Sequence, residues 1–487
     1  MGATLLAALA AAGCASASSG QAAATTATKV NVGGSTVGPP VAPGFVGLAT
    51  EYWNVEMEVG TDPKKPDVAF EQTLRNLAPQ GGFSLRIGGD STDWTWFPIP
   101  GMKQPQWVKW TLTPTWAAVT DKLVDDLGGH LIVGINMEAD SLRVASAEIR
   151  EIRSAIGNAP TTFELGNEPE LYSHFAFYHA AGQAVLGRPK TYSLADMTEQ
   201  WNAMANALPD VRFAGPGYSS IKALPDVGQF LSASKKLSLV TVHVYPLKST
   251  RCTGRAAPQE SQLFTASSLQ DLASGIAGWT SLAHQSGVGV RVDEMNTVTC
   301  GGQPGFTNTF GPALWALNIL PLYAAAGVNG VNVQSRPYTA QNLIQTDHTR
   351  AGWRAIVEPE YYGLMAFAQL TPPGSKMLSV GAMPAGLYAW ADRTPQGQEH
   401  VVVTNVGTAA GTVAIPTGGA TGAASVKTLS AGAGGLRATG GVTLGGQRIS
   451  EQTGQLTGTP VSKSVTATGK AYDVRVAPDS AAIVTFR

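Results

Sequence analysis

The stretch Phe163 to Tyr172, FELGNEPELY, decides the reading of this chain. Its opening is a short apolar run of the kind that ends a buried strand, and an Asn-Glu pair followed by Pro stands directly after it. Further along, Val288 to Asn296, VGVRVDEMN, places a second acid, Glu294, at the end of another run of the same kind. Two acids at two strand ends point to one site.

Working outward, similar runs recur: GFVGLATE, FSLRIGG, HLIVGIN, TFELGNE, VRFAGPG, LSLVTVHVY, VGVRVDE and GVNGVNVQ. Stretches with apolar residues at helical spacing separate them, among them PTWAAVTDKLVDDLG, LADMTEQWNAMANALP, SLQDLASGIAGWTSLAHQSG and FGPALWALNILPLYAAAG, several closed by Gly. Eight strand-helix units predict an α/β fold, a closed (β/α)8 TIM barrel over residues 46–374 whose active site lies at the C-terminal ends of the strands. From about Leu378 the texture changes to short β-like runs such as HVVVTNVG, GTVAIP and SAAIVTFR, separated by Gly, Thr and Ser turns. Residues 375–487 therefore read as a C-terminal β-sandwich, which a strand in residues 28–45 joins. The Gly, Ala and Thr-rich tract between Ala409 and Gly446 keeps a Val spacing that favours strands and loops.

Composition sets the outer bounds. The 487 residues are 44% hydrophobic, with 56 Gly and 30 Pro, which supplies a large core and many loops. Only 14% are charged and the formal net charge is −1, so nucleic acid and highly sulfated polymers are excluded as partners. Residues 1–27 read as an export signal or lipoprotein leader without a basic start, and LAAAGC resembles a lipoprotein cleavage box that would put lipid on Cys14. With Cys14 removed or lipidated, Cys252 and Cys300 remain as a pair, which suits an oxidising compartment outside the cell. No later run of apolar residues is long enough to span a membrane.

Two carboxylates on opposite sides of a sugar can hydrolyse a glycosidic bond. One donates a proton to the leaving oxygen and needs a raised pKa, while the other must stay ionised to attack the anomeric carbon. Asn167, before Glu168, can hydrogen-bond a substrate hydroxyl. Against this stands the ordinary use of an acid before a helix, as a cap of backbone amides through Pro169.

FELGNEP on the fourth strand, HVYP on the sixth and DEMNTVTCGG on the seventh resemble glycoside hydrolase family 79, which includes β-glucuronidases and heparanases. The resemblance implies a retaining mechanism with Glu168 as acid/base and Glu294 as nucleophile, their carboxyls about 5 Å apart. It implies that Tyr245 orients the nucleophile and that the amides of Gly301 and Gly302 hold a uronate carboxylate. His243 alternates with Tyr245 and faces the same side. In LRIGGDSTDW, Gly88 and Gly89 would let the backbone approach the sugar and Asp90 could receive a hydroxyl, with a tight turn as the plainer reading.

The chain also departs from the pattern. Thr299-Cys300-Gly301 stands where heparanase-like members carry Tyr-Gly-Gly, and Val333 stands where some members place a carboxylate-reading Tyr. Arg336 could take over that task as a guanidinium fork, with Tyr338 nearby, unless it is merely a surface arginine. Tyr52, Trp53, Trp94 and Trp96 are candidate sugar-stacking faces or routine packing. Cys252 and Cys300 fall on neighbouring loops, which a disulfide would join.

The expected protein is thus an exported, monomeric, retaining exo-β-glucuronidase with no cofactor and no metal site, acting on a carbohydrate or glycoside. The low positive charge argues against sulfated chains. A β-glycosidase for a neutral sugar is the alternative, and a catalytically silent carbohydrate-binding lipoprotein is a competing reading from another class.

Overall fold

The computed structural model describes residues 27–157, 160–208, 211–254, 256–350 and 352–487. Cys14 and the expected leader before residue 27 lie outside the described residues.

Eight strands close a parallel barrel: β1 (Val46–Glu51), β2 (Ser84–Gly88), β3 (His130–Ile135), β4 (Thr161–Leu165), β5 (Phe213–Tyr218), β6 (Leu237–Val244), β7 (Gly289–Met295) and β8 (Gly330–Gln334). They pair in chain order, and β8 closes on β1 with Val331 beside Val46. Every residue of β1, β2, β5 and β8 is buried, as expected where helices cover the outside and side chains fill the inside. The (β/α)8 expectation is met, strand by strand.

Four of the covering helices start on side-chain caps. Asp67, Thr113, Ser141 and Ser193 each accept a backbone N–H in the first turn of Val68–Leu77, Pro114–Asp126, Leu142–Ala155 and Leu194–Ala207. Helix Phe310–Ala326 is different, because it is apolar on all sides. It is buried almost throughout, between the helices Gln270–Gln285 and Glu360–Leu370 and the strands Lys376–Val380 and Leu387–Arg393 of the C-terminal part.

That part holds two sheets. The larger runs in the order 32–37, 376–380, 387–393, 399–405, 480–486, 424–430 and 443–444, with 463–465 added on strand 424–430. The smaller joins 28–29, 411–416 and 471–476. Alternation along the strands serves two cores: Val401, Val403 and Val484 pack between the sheets with Val413, Ile415 and Tyr472, whereas Trp390, Val402 and Ile483 turn toward the barrel. The Tyr388 hydroxyl donates to the Phe264 carbonyl and adds a polar tie between the two parts.

Two hairpins interrupt the barrel pattern. Ala176–Ala180 pairs with Gln183–Leu186 after β4, and Ile344–Thr349 pairs with Gly352–Val357 after β8. The first stacks Phe177 on Trp107 of the β2 loop, with ring centroids 5.5 Å apart.

Candidate active site

β4 ends at Leu165, Gly166 turns the chain at φ 81°, and Glu168 adopts φ 47° and ψ 50°. A non-glycine residue in the left-handed region costs of order 1–3 kcal/mol, so the surroundings must hold it there. The Glu168 amide does so by donating to the Gly217 carbonyl at 3.0 Å. Its side chain caps no helix. The carboxylate instead turns into the mouth of the barrel, where His243 Nδ1 lies 2.8 Å from Glu168 Oε1.

Across the mouth, Glu294 near the end of β7 is gripped from two sides. The Tyr245 hydroxyl donates to Oε1 at 2.7 Å, and Arg86 Nη1 donates to Oε2 at 2.6 Å. One donor atom each of Glu168, His243 and Glu294 lie within 4.8 Å of one another. That spacing suits direct attack on a bound sugar, since a water between the acids needs about 6.5–9.5 Å. Three such groups could also clasp a cation. Arg86 already sets a positive charge against Glu294 here, so the hydrogen-bonded acid pair is the better description.

The two acids are driven apart in acidity. Burial raises Glu168, with help from the charges of Glu294 and Asp90, and outweighs the pull of His243 in the other direction. Burial also acts on Glu294, but His243, Arg86 and Tyr245 together hold its carboxyl below the usual range. Burial opposes charge on His243, yet the charge of Glu294 and the bond to Glu168 raise it to about 10. A proton donor and an ionised nucleophile require this separation.

Beneath them lies a charge cluster that sequence reasoning missed. Arg86, fully buried in β2, reaches Glu164 Oε2 on β4 at 2.8 Å, Asp293 Oδ2 on β7 at 3.4 Å and Asn167 Oδ1 at 2.9 Å, besides Glu294. Burial works against Glu164, but Arg86 holds it at about 2, whereas burial and the Glu164 charge push Asp293 well up. Asp293 is thus the member of the cluster driven toward its neutral form, while Arg86 pairs directly with Glu164 and Glu294. The signal was visible as a charge inside each apolar run, SLRIG, FELG and RVDEM, because buried charges must pair. Asp93 is a second omission: it accepts from the Tyr172 hydroxyl at 2.9 Å and from the Asn167 amide at 3.3 Å, and so fixes Asn167 beside the acid.

The remaining candidates divide. Asp90 and Arg336 meet at 3.1 Å on the rim, and Arg336 lies 3.8 Å from Glu51 at the end of β1. Glu51 is buried and accepts from the Ser91 amide at 2.9 Å. Burial, then the Asp90 charge, raise Glu51 to about 7. A Cβ on Gly89 would stand 2.8 Å from Glu51 Oε1, so this glycine, at φ 67°, makes room for Glu51 rather than for a sugar. Gly301 and Gly302 are buried at φ 80° and 79°, but the Gly302 amide is spent on the Thr299 carbonyl at 3.1 Å. Tyr338 is 86% exposed, and Val333 is wholly buried within β8.

Of the aromatics, Tyr52 and Trp96 are packing. The Tyr52 hydroxyl donates to the Gly134 carbonyl and its ring stacks on Trp116, while Trp96 Nε1 donates to Thr111. Trp94 carries the Lys109 ammonium 3.1 Å above its ring. A disulfide joins Cys252 after β6 to Cys300 after β7, with Cα atoms 6.4 Å apart. Among the described residues no helix is long and apolar enough to cross a membrane.

A (β/α)8 barrel with a trailing β-sandwich and two opposed carboxylates at its mouth is the architecture of a glycoside hydrolase, with the pair of acids that cleavage of a glycosidic bond needs. Comparison with known proteins agrees with that class. The chain is 22% identical over 402 residues, 72% of its length and 67% of the relative's, to a β-glucuronidase of Neurospora crassa. Among solved structures it resembles a 4-O-α-L-rhamnosyl-β-D-glucuronidase from Fusarium oxysporum in complex with Rha-GlcA, at 18% identity and TM-score 0.70, covering 94% of this chain and 100% of that one. A family 51 α-L-arabinofuranosidase from Thermotoga petrophila matches at 15% identity and TM-score 0.64 over the same 94% and 100%. No family model matches the chain.

Proposed function

We propose that this protein is a retaining exo-β-glucuronidase of family 79 type. The observation that carries the reading is the acid pair, Glu168 raised and Glu294 lowered, within one sugar's reach of each other. Glu168 gives its proton to the glycosidic oxygen as the bond to the anomeric carbon breaks, and Glu294 bonds to that carbon. In the second step water attacks the same carbon, gives its proton to Glu168 and releases Glu294. Two inversions leave the configuration retained. His243 holds Glu168 in place, Tyr245 and Arg86 hold Glu294, and Asn167 presents its amide to a sugar hydroxyl.

The uronate half of the reading is supported by the likeness to the Neurospora crassa β-glucuronidase and by Arg336 at the mouth, with the Gly301 amide as a second donor. A neutral sugar is the second reading, favoured by the two acids that flank Arg336. Aryl β-glucuronide, glucoside, galactoside and xyloside, assayed side by side with Glu294→Ala as control, separate the two. Fastest turnover of the glucuronide, abolished in the variant, is the expected result, and preference for a neutral glycoside overturns the uronate half. A protein with no turnover to lose would be a carbohydrate-binding relative. Export fits the disulfide, and a monomer anchored by lipid at Cys14 is the finer proposal, checked by mass analysis of the mature N-terminus.

A further inference from the structure

Arg336 leaves β8 at the mouth of the barrel, and β8, β1 and β2 are neighbours there. Its Nη1 stands 3.1 Å from Asp90 Oδ2, after β2, and 3.8 Å from Glu51 Oε1, at the end of β1. The two acids are held differently. Glu51 is 1% exposed and fixed by the Ser91 amide, and its Oε1 is buried without a hydrogen-bond partner. Asp90 is 48% exposed in its side chain and contacts Arg336 from the open side. The cation is therefore clamped between one fixed acid and one that can leave.

Resting on the glucuronidase reading, we infer that Asp90 is an internal stand-in for the substrate's carboxylate: it pairs with Arg336 in the free enzyme, and the uronate of the sugar displaces it. A guanidinium fork accepts one carboxylate in place of another with no change in charge balance, so the exchange leaves no cation unpaired. The displaced Asp90 side chain is already in contact with water, and Lys109, on which the Asp90 charge acts, offers it a second cation. A neutral sugar brings no carboxylate and leaves the Arg336 and Asp90 pair closed. Discrimination between uronate and neutral sugar is then an exchange of partners at Arg336.

The test is KM for an aryl β-glucuronide in the wild type, Asp90→Asn, Arg336→Met and the double variant, with melting curves to confirm folding. Asp90→Asn removes the competitor's charge and lowers KM several-fold. Arg336→Met raises KM at least tenfold, and Asp90→Asn adds nothing in that background, which is the non-additivity expected of two groups acting on one another. A KM that is unchanged or raised in Asp90→Asn overturns the inference, and a rise in both backgrounds assigns Asp90 to a sugar hydroxyl instead. A wild type with no glucuronide turnover but active on a neutral glycoside overturns the glucuronidase reading and this inference with it; a wild type active on the glucuronide puts only the role of Asp90 at stake.

Discussion

Arg86 on β2 and Glu294 on β7 meet at 2.6 Å although 208 residues separate them in the chain. The same guanidinium bonds Glu164 and Asn167, so one side chain ties the nucleophile's strand to the acid's strand. Arg86→Met leaves buried acids uncompensated, and breaking a buried pair in this way costs about 3–5 kcal/mol. The expected outcome is a lower urea midpoint together with a loss of at least a hundredfold in kcat. Near-normal stability and turnover would remove Arg86 from the account.

Tyr245→Phe deletes one donor to Glu294 and little packing. A hydrogen bond to a charged group contributes about 1.5–3 kcal/mol, so kcat should fall roughly ten- to a hundredfold. Glu294 must be ionised to act, and losing this donor raises its pKa. The acid limb of the kcat/KM profile should therefore move to higher pH, while the melting temperature stays close to that of the wild type.

Buried acids away from the site set a pH dependence of stability. Burial raises Glu58, against the bonds from Asn54 and Thr50, and raises Glu360, in each case from 4.5 to about 8. A folded pKa above the unfolded one means stability that is full below about 4.5 and lost as pH climbs through about 8. Melting temperature should thus fall between pH 5 and pH 8.5, and the Glu58→Gln, Glu360→Gln double variant should flatten that fall. An unchanged slope would show that these carboxyls do not carry it.

The Cys252 to Cys300 bridge closes a separation of 48 residues and borders Gly301. Replacing both with Ser should cost about 2–4 kcal/mol of stability by loosening the constraint on the unfolded chain. KM for the glucuronide should rise more than kcat falls, because the loop that carries the Gly301 amide is released while Glu294 stays on β7 and Glu168 stays held by the Gly217 carbonyl.

The barrel and the acid pair were legible because each rests on local pattern. Apolar runs of strand length, followed by Glu168 or Glu294, carry both the fold and the meeting of the two acids at the barrel mouth. The charge cluster was not, because Arg86, Glu164 and Asp293 acquire meaning only when β2, β4 and β7 come side by side. Tyr52 and Trp96 stayed open between two readings for a related reason. Aromatics at strand ends serve as sugar platforms or as core, and only the long-range partners Gly134, Trp116 and Thr111 decide which. The loop glycines show the same limit: the doublet Gly301 and Gly302 was plain, but that the Gly302 amide is spent within its own turn was not.

The double displacement through Glu294 is tested most directly by trapping its intermediate. The enzyme, incubated with a 2-deoxy-2-fluoro-β-glucuronyl fluoride, should gain the mass of one glycosyl group, and peptide mapping should place it on Glu294 within Val288 to Asn296. A label on another residue, or a wild type that turns over aryl glucuronides with inversion at the anomeric carbon, would contradict the account.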